Sequence, residues 1–251
     1  MDKVLEVEKL NHVFNKGKKT EVYALHNVSF DLYKGECLGI IGESGSGKST
    51  TARIVARLIP YTSGNVVLQG ENMNNIPRKE LYKKIQMIFQ TPVESFNPRI
   101  KIGDSVAESL RNAGYSKSEA KKRVEILLEE CGLKKEFYNR YPHEISGGQC
   151  QRAAIARALA IKPKILICDE ATSALDVTVQ KEIINLLNNI RKNRGDDISI
   201  LFISHDIALV QQFCNRVVVM NKGEIVEMGE TNEVITNPKN NYTKKLIASI
   251  L

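Results

Sequence analysis

Long apolar runs are absent from the 251-residue sequence, and none approaches the ~20 residues that a membrane-spanning helix needs. The N-terminal residues 1–10 alternate polar and apolar side chains and lack the apolar segment of a signal peptide. The five cysteines are odd in number and widely spaced, and no pair has the C-x-x-C spacing of many zinc and redox sites. We therefore expect a cytoplasmic protein with reduced thiols that does not cross a membrane by itself.

A basic stripe with interleaved aromatic residues, typical of a nucleic-acid surface, is also missing, although the net charge is +7. The sequence therefore predicts no nucleic-acid partner. Apolar residues make up 42% and charged residues 26% of the chain, which are ordinary values for a globular protein. The length, together with the lack of internal repeats and low-complexity linkers, predicts a single domain over residues 1–251.

The most informative stretch is the phosphate loop, G-E-S-G-S-G-K-S at residues 42–49, which matches the pattern G-x-x-x-x-G-K-[ST]. It lies between a predicted buried strand, residues 38–41, and a predicted helix, which argues against a chance match by a Gly/Ser-rich turn. Glycines let backbone N–H groups turn toward phosphate oxygens, and the helix start adds further donors. We expect Lys48 to reach the β- and γ-phosphates and Ser49 to hold Mg²⁺ through its hydroxyl group. The predicted nucleotide-binding residues here are Gly42, Glu43, Ser44, Gly45, Ser46, Gly47, Lys48, Ser49 and Thr50.

An antiparallel β layer is predicted before the phosphate loop, because Val28, Phe30 and Leu32 alternate with polar residues. Phe14 ends an earlier strand-like segment before a turn, where its ring is a candidate to stack on an adenine base. An ordinary edge-strand position explains Phe14 equally well. Tyr23 is the other candidate for stacking.

Two single polar residues follow predicted core strands. Gln90 closes the predicted strand 83–90, and an amide at such a position beside a phosphate site coordinates Mg²⁺ or orients water. His205 follows the predicted strand 198–203 and is a candidate hydrogen-bond donor to a γ-phosphate. A solitary histidine is more often structural than catalytic, so both interpretations of His205 stay open.

Two carboxylates end a third apolar run, which begins at Lys164. Asp169 and Glu170 stand where a buried parallel strand delivers acids to a phosphate site. We expect Asp169 to complete the Mg²⁺ shell and Glu170 to accept a hydrogen bond from the attacking water. A solvated pair of surface charges is the competing interpretation.

Helical periodicity starts near Gly103, and a predicted capping box of Ser116 and Glu119 opens a helix that ends at Gly132. A second helix start follows in the signature segment, I-S-G-G-Q at residues 145–149, whose Ser-Gly-Gly suits an anion. Because the chain already has a phosphate loop, this segment suggests a surface that completes a nucleotide site on another subunit. Residues 91–159 are expected to form a helical subdomain inserted in an α/β core of residues 1–90 and 160–251.

Together these residues resemble the ATP-binding subunits of ABC transporters. The resemblance covers the whole chain, and its motifs occur in the family's order: the phosphate loop, Gln90, the signature segment, Asp169 with Glu170, S-A-L-D at residues 173–176, and His205. Residues 90–99 and the tail segments 237–238 and 242–246 look more narrowly like the oligopeptide, dipeptide and nickel importers. Ile145 replaces the leucine usual in the family, a change of apolar shape that we expect to be tolerated.

The resemblance implies an α/β P-loop NTPase core of the ABC ATPase type, with an antiparallel β subdomain and an inserted α-helical subdomain. It implies ATP and Mg²⁺ as ligands, with Lys48, Glu170 and His205 catalytic. Metal contacts would come from Ser49, Gln90 and Asp169. Further nucleotide contacts would come from Phe14, Gln90 and Asp176, and from a partner cassette's equivalents of Ser146, Gly147, Gly148 and Gln149.

The expected function is ATP hydrolysis at the cytoplasmic face of a membrane, where it energises the import of oligopeptides or dipeptides. The implied partners are two membrane-spanning permease subunits and a second ATPase, identical or related, paired head to tail. An extracytoplasmic substrate-binding protein would act indirectly. The alternatives are a nickel or metal-chelate importer, a soluble ABC-type ATPase, and a P-loop kinase, which would not need the signature segment. No C-terminal extension like that of many peptide-importer subunits is found before Leu251, so the substrate group stays open.

Overall fold

The computed structural model describes residues 2–173, 175–194 and 198–249, which form two β-sheets and a set of helices. The strands are β1 Lys3–Phe14, β2 Val22–Tyr33, β3 Cys37–Ile41, β4 Ser63–Leu68, β5 Glu71–Asn72, β6 Ile85–Ile88, β7 Ile165–Asp169, β8 Ser199–Ile203, β9 Arg216–Asn221 and β10 Glu224–Glu230. The α-helices are α1 Lys48–Val55, α2 Arg78–Lys84, α3 Ile102–Asn112, α4 Lys117–Glu130, α5 Gly147–Leu159, α6 Val177–Arg194, α7 Ile207–Phe213, α8 Thr231–Thr236 and α9 Asn241–Ala248. Short 3₁₀ turns cover Lys135–Asn139 and Pro142–Glu144.

The antiparallel sheet has the order β2-β1-β4-β5, and its pairing follows the alternation of apolar residues seen in the sequence. Val7 lies opposite Phe30, and Leu5 opposite Leu68, so these apolar side chains share one buried face. The predicted antiparallel layer before the phosphate loop is therefore confirmed.

The core sheet has the order β10-β9-β3-β8-β7-β6, and its strands run parallel except for β10. Every residue of β3, β7 and β8 is buried, as expected of parallel strands covered on both faces. Along β7, Ile165 and Ile167 pack toward the antiparallel sheet and α1, whereas Leu166 and Cys168 pack toward the helices on the opposite face. The carboxyl ends of the parallel strands therefore meet at one rim between two hydrophobic cores.

Helices α3, α4 and α5 pack on one another over residues 102–159. The predicted capping box is present, because the Ser116 hydroxyl accepts from the Glu119 N–H while the Glu119 carboxylate accepts from the Ser116 N–H. The face of α4 that carries Ala120, Val124 and Leu128 is buried. Among the described residues, no helix has the length and apolar character to span a membrane.

Some predicted element limits differ from the structure. The predicted strand 83–90 was wrong at both ends, because Lys83 and Lys84 form the last turn of α2 and β6 stops at Ile88. Gln90 thus lies two residues beyond the strand. In the S-A-L-D segment, Ala174 lies outside the described residues.

A candidate nucleotide-binding site

The phosphate loop, which follows β3, has a backbone conformation that requires glycine at two positions. Gly42 has φ 149° and Gly47 has φ 105°, both in the region that disfavours residues with a Cβ atom. A Cβ atom at Gly42 would collide with the Met220 carbonyl oxygen, and one at Gly47 would lie 2.8 Å from Leu25 and 2.9 Å from the Ala24 carbonyl oxygen. Strands β2 and β9 therefore fix the shape of the loop from outside.

Lys48, the first residue of α1, folds back into the loop that precedes it. Its Nζ atom donates to the carbonyl oxygens of Gly42 at 2.7 Å and Glu43 at 2.8 Å, and only 5% of the residue is exposed. Burial lowers the pKa of Lys48, while the carboxylates of Glu170 and Asp169 act in the opposite direction. A buried cation is thus held beside the loop, at the point where an anion would be bound.

Ser49 and Asp169 bring two oxygen ligands together from α1 and the end of β7. The Ser49 hydroxyl donates to Oδ1 of Asp169 at 2.8 Å. Burial raises the pKa of Asp169, and this is opposed by the Ser49 hydrogen bond and the nearby Arg53. A hydroxyl and a carboxylate are the ligand types that Mg²⁺ prefers, so this pair fits that ion.

Glu170 takes the left-handed backbone conformation, with φ 48°, which a glutamate rarely adopts. Its N–H donates to the Ile203 carbonyl oxygen at 3.0 Å, and its own carbonyl oxygen accepts from the Ser173 N–H at 3.1 Å and hydroxyl at 3.0 Å. The side chain is turned so that Nε2 of Gln90 donates to its Oε2 at 3.0 Å, with Nδ1 of His205 at 3.8 Å from the same oxygen. Gln90, which follows β6, and His205, which follows β8, therefore both approach the carboxylate of Glu170, which follows β7.

Phe14 and Tyr23 line one cleft with the phosphate loop. This nucleotide cleft has a volume of about 310 Å³ and is lined by Phe14, Val22, Tyr23, Ala24, Ser44, Gly45, Gly47, Lys48, Ser49, Thr50 and Glu170. Phe14 is 38% exposed, and its ring packs edge-on against His12 at 4.3 Å between ring centres. Tyr23 is 59% exposed and stacks on His26 at 5.6 Å. Both rings are accessible to a ligand in the cleft, so the choice between them stays a prediction.

The signature segment and Asp176 do not line this cleft, as far as the chain is described. Ser146 caps α5: its hydroxyl accepts from the Gln149 N–H at 3.3 Å, while the Gln149 side chain accepts from the Ser146 N–H at 2.9 Å. Asp176 is exposed and caps α6 by accepting from the Val179 N–H at 3.0 Å. Neither of these two predicted nucleotide-contacting groups is therefore found among the described residues that line the chain's own nucleotide cleft.

Two contacts beside the site were not predicted from the sequence. The Arg157 guanidinium donates to the Ser95 carbonyl oxygen at 2.6 Å and hydroxyl at 2.9 Å, and it lies 4.2 Å from the Phe96 ring centre. The hydroxyl of Tyr242 accepts a hydrogen bond from the Glu43 N–H in the phosphate loop at 3.2 Å. The first contact joins the helix of the signature segment to the segment after Gln90, and the second joins α9 to the phosphate loop. Neither pair has a local sequence signal, because each joins residues far apart in the chain.

Comparison with known proteins places this arrangement in a family. The family described as "ABC transporter" matches residues 25–173. The oligopeptide transport ATP-binding protein OppF of Bacillus subtilis is 45% identical over 99% of this chain and 83% of its own length. The glutathione import ATP-binding protein GsiA of Salmonella typhimurium is 49% identical over 92% of this chain, which spans only 37% of that longer protein.

Solved structures agree with this assignment. The dimeric structure of the ATP-binding cassette MJ0796, in a post-hydrolysis state bound to ADP and phosphate, has a TM-score of 0.80 at 31% identity, covering 90% of this chain and 98% of that one. With the family match, the OppF similarity and this structural likeness in agreement, the chain belongs to the ABC transporter family.

Proposed function

We propose that this chain binds and hydrolyses ATP to energise the import of oligopeptides or dipeptides, as a peripheral subunit at the cytoplasmic face of a membrane. The observation that carries the ATPase is the convergence of Lys48, Ser49, Asp169 and Glu170 on one rim of the core sheet. The similarity to OppF, which extends over most of both chains, supports a peptide as the imported substrate.

ATP would lie along the nucleotide cleft, with its phosphates in the phosphate loop and its adenine against Phe14. The loop's N–H groups, the start of α1 and the Lys48 amine supply positive potential for the phosphates. An exposed aromatic face at the other end of the same cleft suits a base, and Tyr23 is the neighbouring ring. The proposed contacts from this chain run over residues 42–50 and Phe14.

Ser49, Asp169 and Gln90 would hold Mg²⁺. Gln90 already uses its amide nitrogen to donate to Glu170, so its amide oxygen is the atom suited to a cation. When bound, Mg²⁺ neutralises negative charge on the β- and γ-phosphate oxygens. The Ser49 hydrogen bond fixes the orientation of the Asp169 carboxylate toward this task.

Glu170 would orient the attacking water and accept its proton. Phosphoryl transfer has a loose transition state, so positioning and charge stabilisation carry most of the catalysis. Gln90 fixes the Glu170 carboxylate by a direct hydrogen bond, and Nδ1 of His205 lies 3.8 Å from the same carboxylate. His205 would donate a hydrogen bond to the γ-phosphate. Lys48 would stabilise the charge on the transferred phosphoryl group.

A second cassette would complete each site. The described lining of the chain's own nucleotide cleft does not include Ser146, Gly147, Gly148 or Gln149, yet these residues form a helix start suited to phosphate. Head-to-tail pairing would bring this segment and Asp176 to the ATP held by the partner, which is either a second copy or a related ATPase. The dimeric form of MJ0796 supports such pairing.

Two permease subunits would dock near the segment that follows Gln90. Val93 is 46% and Ile100 41% exposed there, and Tyr82 of the preceding helix α2 is 37% exposed. Tyr82 belongs to the proposed core of residues 1–90 and 160–251, whereas Val93 and Ile100 belong to the proposed helical subdomain of residues 91–159. Arg157 would carry movement of the docked surface to the signature segment through Ser95. An extracytoplasmic binding protein would deliver the substrate to the permeases.

Co-purification tests the proposed assembly. The tagged chain is extracted from native membranes in mild detergent, and we expect two integral membrane proteins and an ATPase in stoichiometric amounts. Val93→Asp should lose the membrane proteins while keeping ATP binding, whereas Ile126→Asp, at a 55% exposed position on α4, should keep both. Recovery of soluble partners alone would overturn the importer role and leave the ATPase chemistry in place.

A further inference from the structure

We propose that Tyr242 is a positioning residue for the phosphate loop, which it holds in its binding conformation from the C-terminal helix α9. Its hydroxyl oxygen accepts the hydrogen bond of the Glu43 N–H at 3.2 Å, across 199 residues of sequence. The inference rests on the proposed role of the loop and adds a residue that none of the nucleotide motifs contains.

Tyr242 and Lys48 hold the same peptide group from two sides. The Gly42 carbonyl oxygen accepts from Nζ of Lys48 at 2.7 Å, and the N–H of that peptide group, carried by Glu43, donates to Tyr242. When the Lys48 amine turns to the β- and γ-phosphates, its hold on the carbonyl oxygens is given up at least in part. The Tyr242 hydroxyl then becomes the remaining side-chain anchor of this peptide group.

The anchored peptide group controls the rest of the loop. The Glu43 carbonyl oxygen accepts from the Ser46 N–H at 3.2 Å, which closes the turn that presents the next N–H groups. On the other side of this peptide group, the Met220 carbonyl oxygen packs so closely on Gly42 that it would collide with a Cβ atom there. Rotation of the Gly42–Glu43 peptide would therefore disturb the turn that must wrap the phosphates.

Tyr242 is itself held firmly by β10. The Glu227 carboxylate accepts from the N–H groups of Lys239 at 2.7 Å and Asn240 at 3.1 Å. Asn240 in turn caps α9, since its Oδ1 accepts from the Tyr242 N–H at 2.8 Å. The Tyr242 ring packs against the core on the helical side of the sheet. The hydroxyl is thus presented by a packed ring on a capped helix, which favours a positioning role over a chance surface contact.

Tyr242→Phe tests the inference, because phenylalanine keeps the packed ring and removes only the hydroxyl group. Loss of one such hydrogen bond should weaken MgATP binding to the isolated chain by about 3- to 10-fold. In the assembled complex we expect KM for ATP to rise by a similar factor, with kcat at saturating ATP changed by less than about 2-fold, because bound phosphates rebuild the loop. The amide hydrogen of Glu43 should exchange faster with solvent in the nucleotide-free variant.

Tyr61→Phe is the matched control, because its hydroxyl accepts from Nδ2 of Asn74 at 2.7 Å away from the cleft. It should leave ATP affinity and Glu43 exchange unchanged. If Tyr242→Phe binds ATP like wild type, or if Glu43 exchange is the same in both, the inference is overturned. Lys48→Ala, measured in parallel, distinguishes failure of the Tyr242 inference from failure of the proposed function of the phosphate loop. Unchanged ATP affinity in Lys48→Ala would refute the proposed function of the loop itself.

Discussion

Replacement of Glu170 by glutamine is the most direct perturbation of the proposed chemistry. The side chain keeps its size, and its amide oxygen can still accept the hydrogen bond from Nε2 of Gln90 that holds the carboxylate at 3.0 Å. The backbone hydrogen bonds that maintain the left-handed conformation at Glu170 do not involve the side chain. The substitution therefore removes basicity and charge while it preserves position.

The expected magnitude follows from what is removed and what remains. A positioned general base contributes about 10²- to 10⁴-fold to rate. Because Glu170→Gln keeps an oxygen that can orient the water, we expect the lower end, a loss of ~100-fold, equivalent to about 2.7 kcal/mol in the activation free energy. ATP binding should not weaken, since the change removes a negative charge from the neighbourhood of a polyanion.

The assay measures phosphate release by the assembled complex and MgATP affinity of the isolated chain for the same variant. Glu129→Gln, an exposed carboxylate on α4 that pairs only loosely with Lys135 at 3.6 Å, is the matched control and should behave like wild type. Turnover of Glu170→Gln within a few-fold of wild type, with ATP still bound, would refute the assignment of Glu170 as the base.

Lys48→Ala should weaken ATP binding by at least about 10-fold in equilibrium titration, because charged hydrogen bonds to phosphates are lost, and unchanged affinity would count against its role. Burial raises the pKa of Asp169, so its ionised form opposes folding at neutral pH. Asp169→Asn should therefore raise the melting temperature of the nucleotide-free chain at pH 7 while it abolishes Mg²⁺-dependent hydrolysis. This gain should shrink as pH falls through the raised pKa, where the wild-type carboxyl becomes protonated; a gain independent of pH would contradict the explanation. Arg157→Lys loses the paired donation to Ser95 and should lower the free energy of unfolding in urea by about 1.5–3 kcal/mol, whereas Arg123→Lys, on the surface of α4, should change it little.

The sequence predicted the parts of the site whose chemistry is written in consecutive residues. The phosphate loop needs glycines next to a lysine and a serine, so its pattern was readable before any contact was known. The carboxylates of Asp169 and Glu170 were predicted at a shared rim because parallel strands must deliver their ends there. Their observed pairing with Ser49 and Gln90 agrees with that logic, although their catalytic and metal-binding roles stay predictions.

Element limits were less readable where two patterns overlap. Lys83 and Lys84 precede an apolar run and were predicted as strand, but Glu80 and Lys83 form an i,i+3 ion pair in α2. Both lysines belong to α2 because its last turn is partly exposed to solvent and because the carboxyl end of a helix favours cations. The left-handed conformation of Glu170 had no sequence signal either, since only glycine marks such positions reliably.

Contacts between segments that are distant in the chain could not be predicted from the sequence. In this chain such contacts connect the nucleotide motifs to other parts of the fold. Arg157 meets Ser95 across 62 residues, and Tyr242 meets Glu43 across 199. Each motif predicts its own local geometry, but nothing in the phosphate loop specifies which side chain will accept the Glu43 N–H. That choice depends on where β10 and α9 pack after the core sheet has formed. A motif search therefore finds the groups that would touch ATP, whereas the residues that hold those groups in place emerge only from the folded chain.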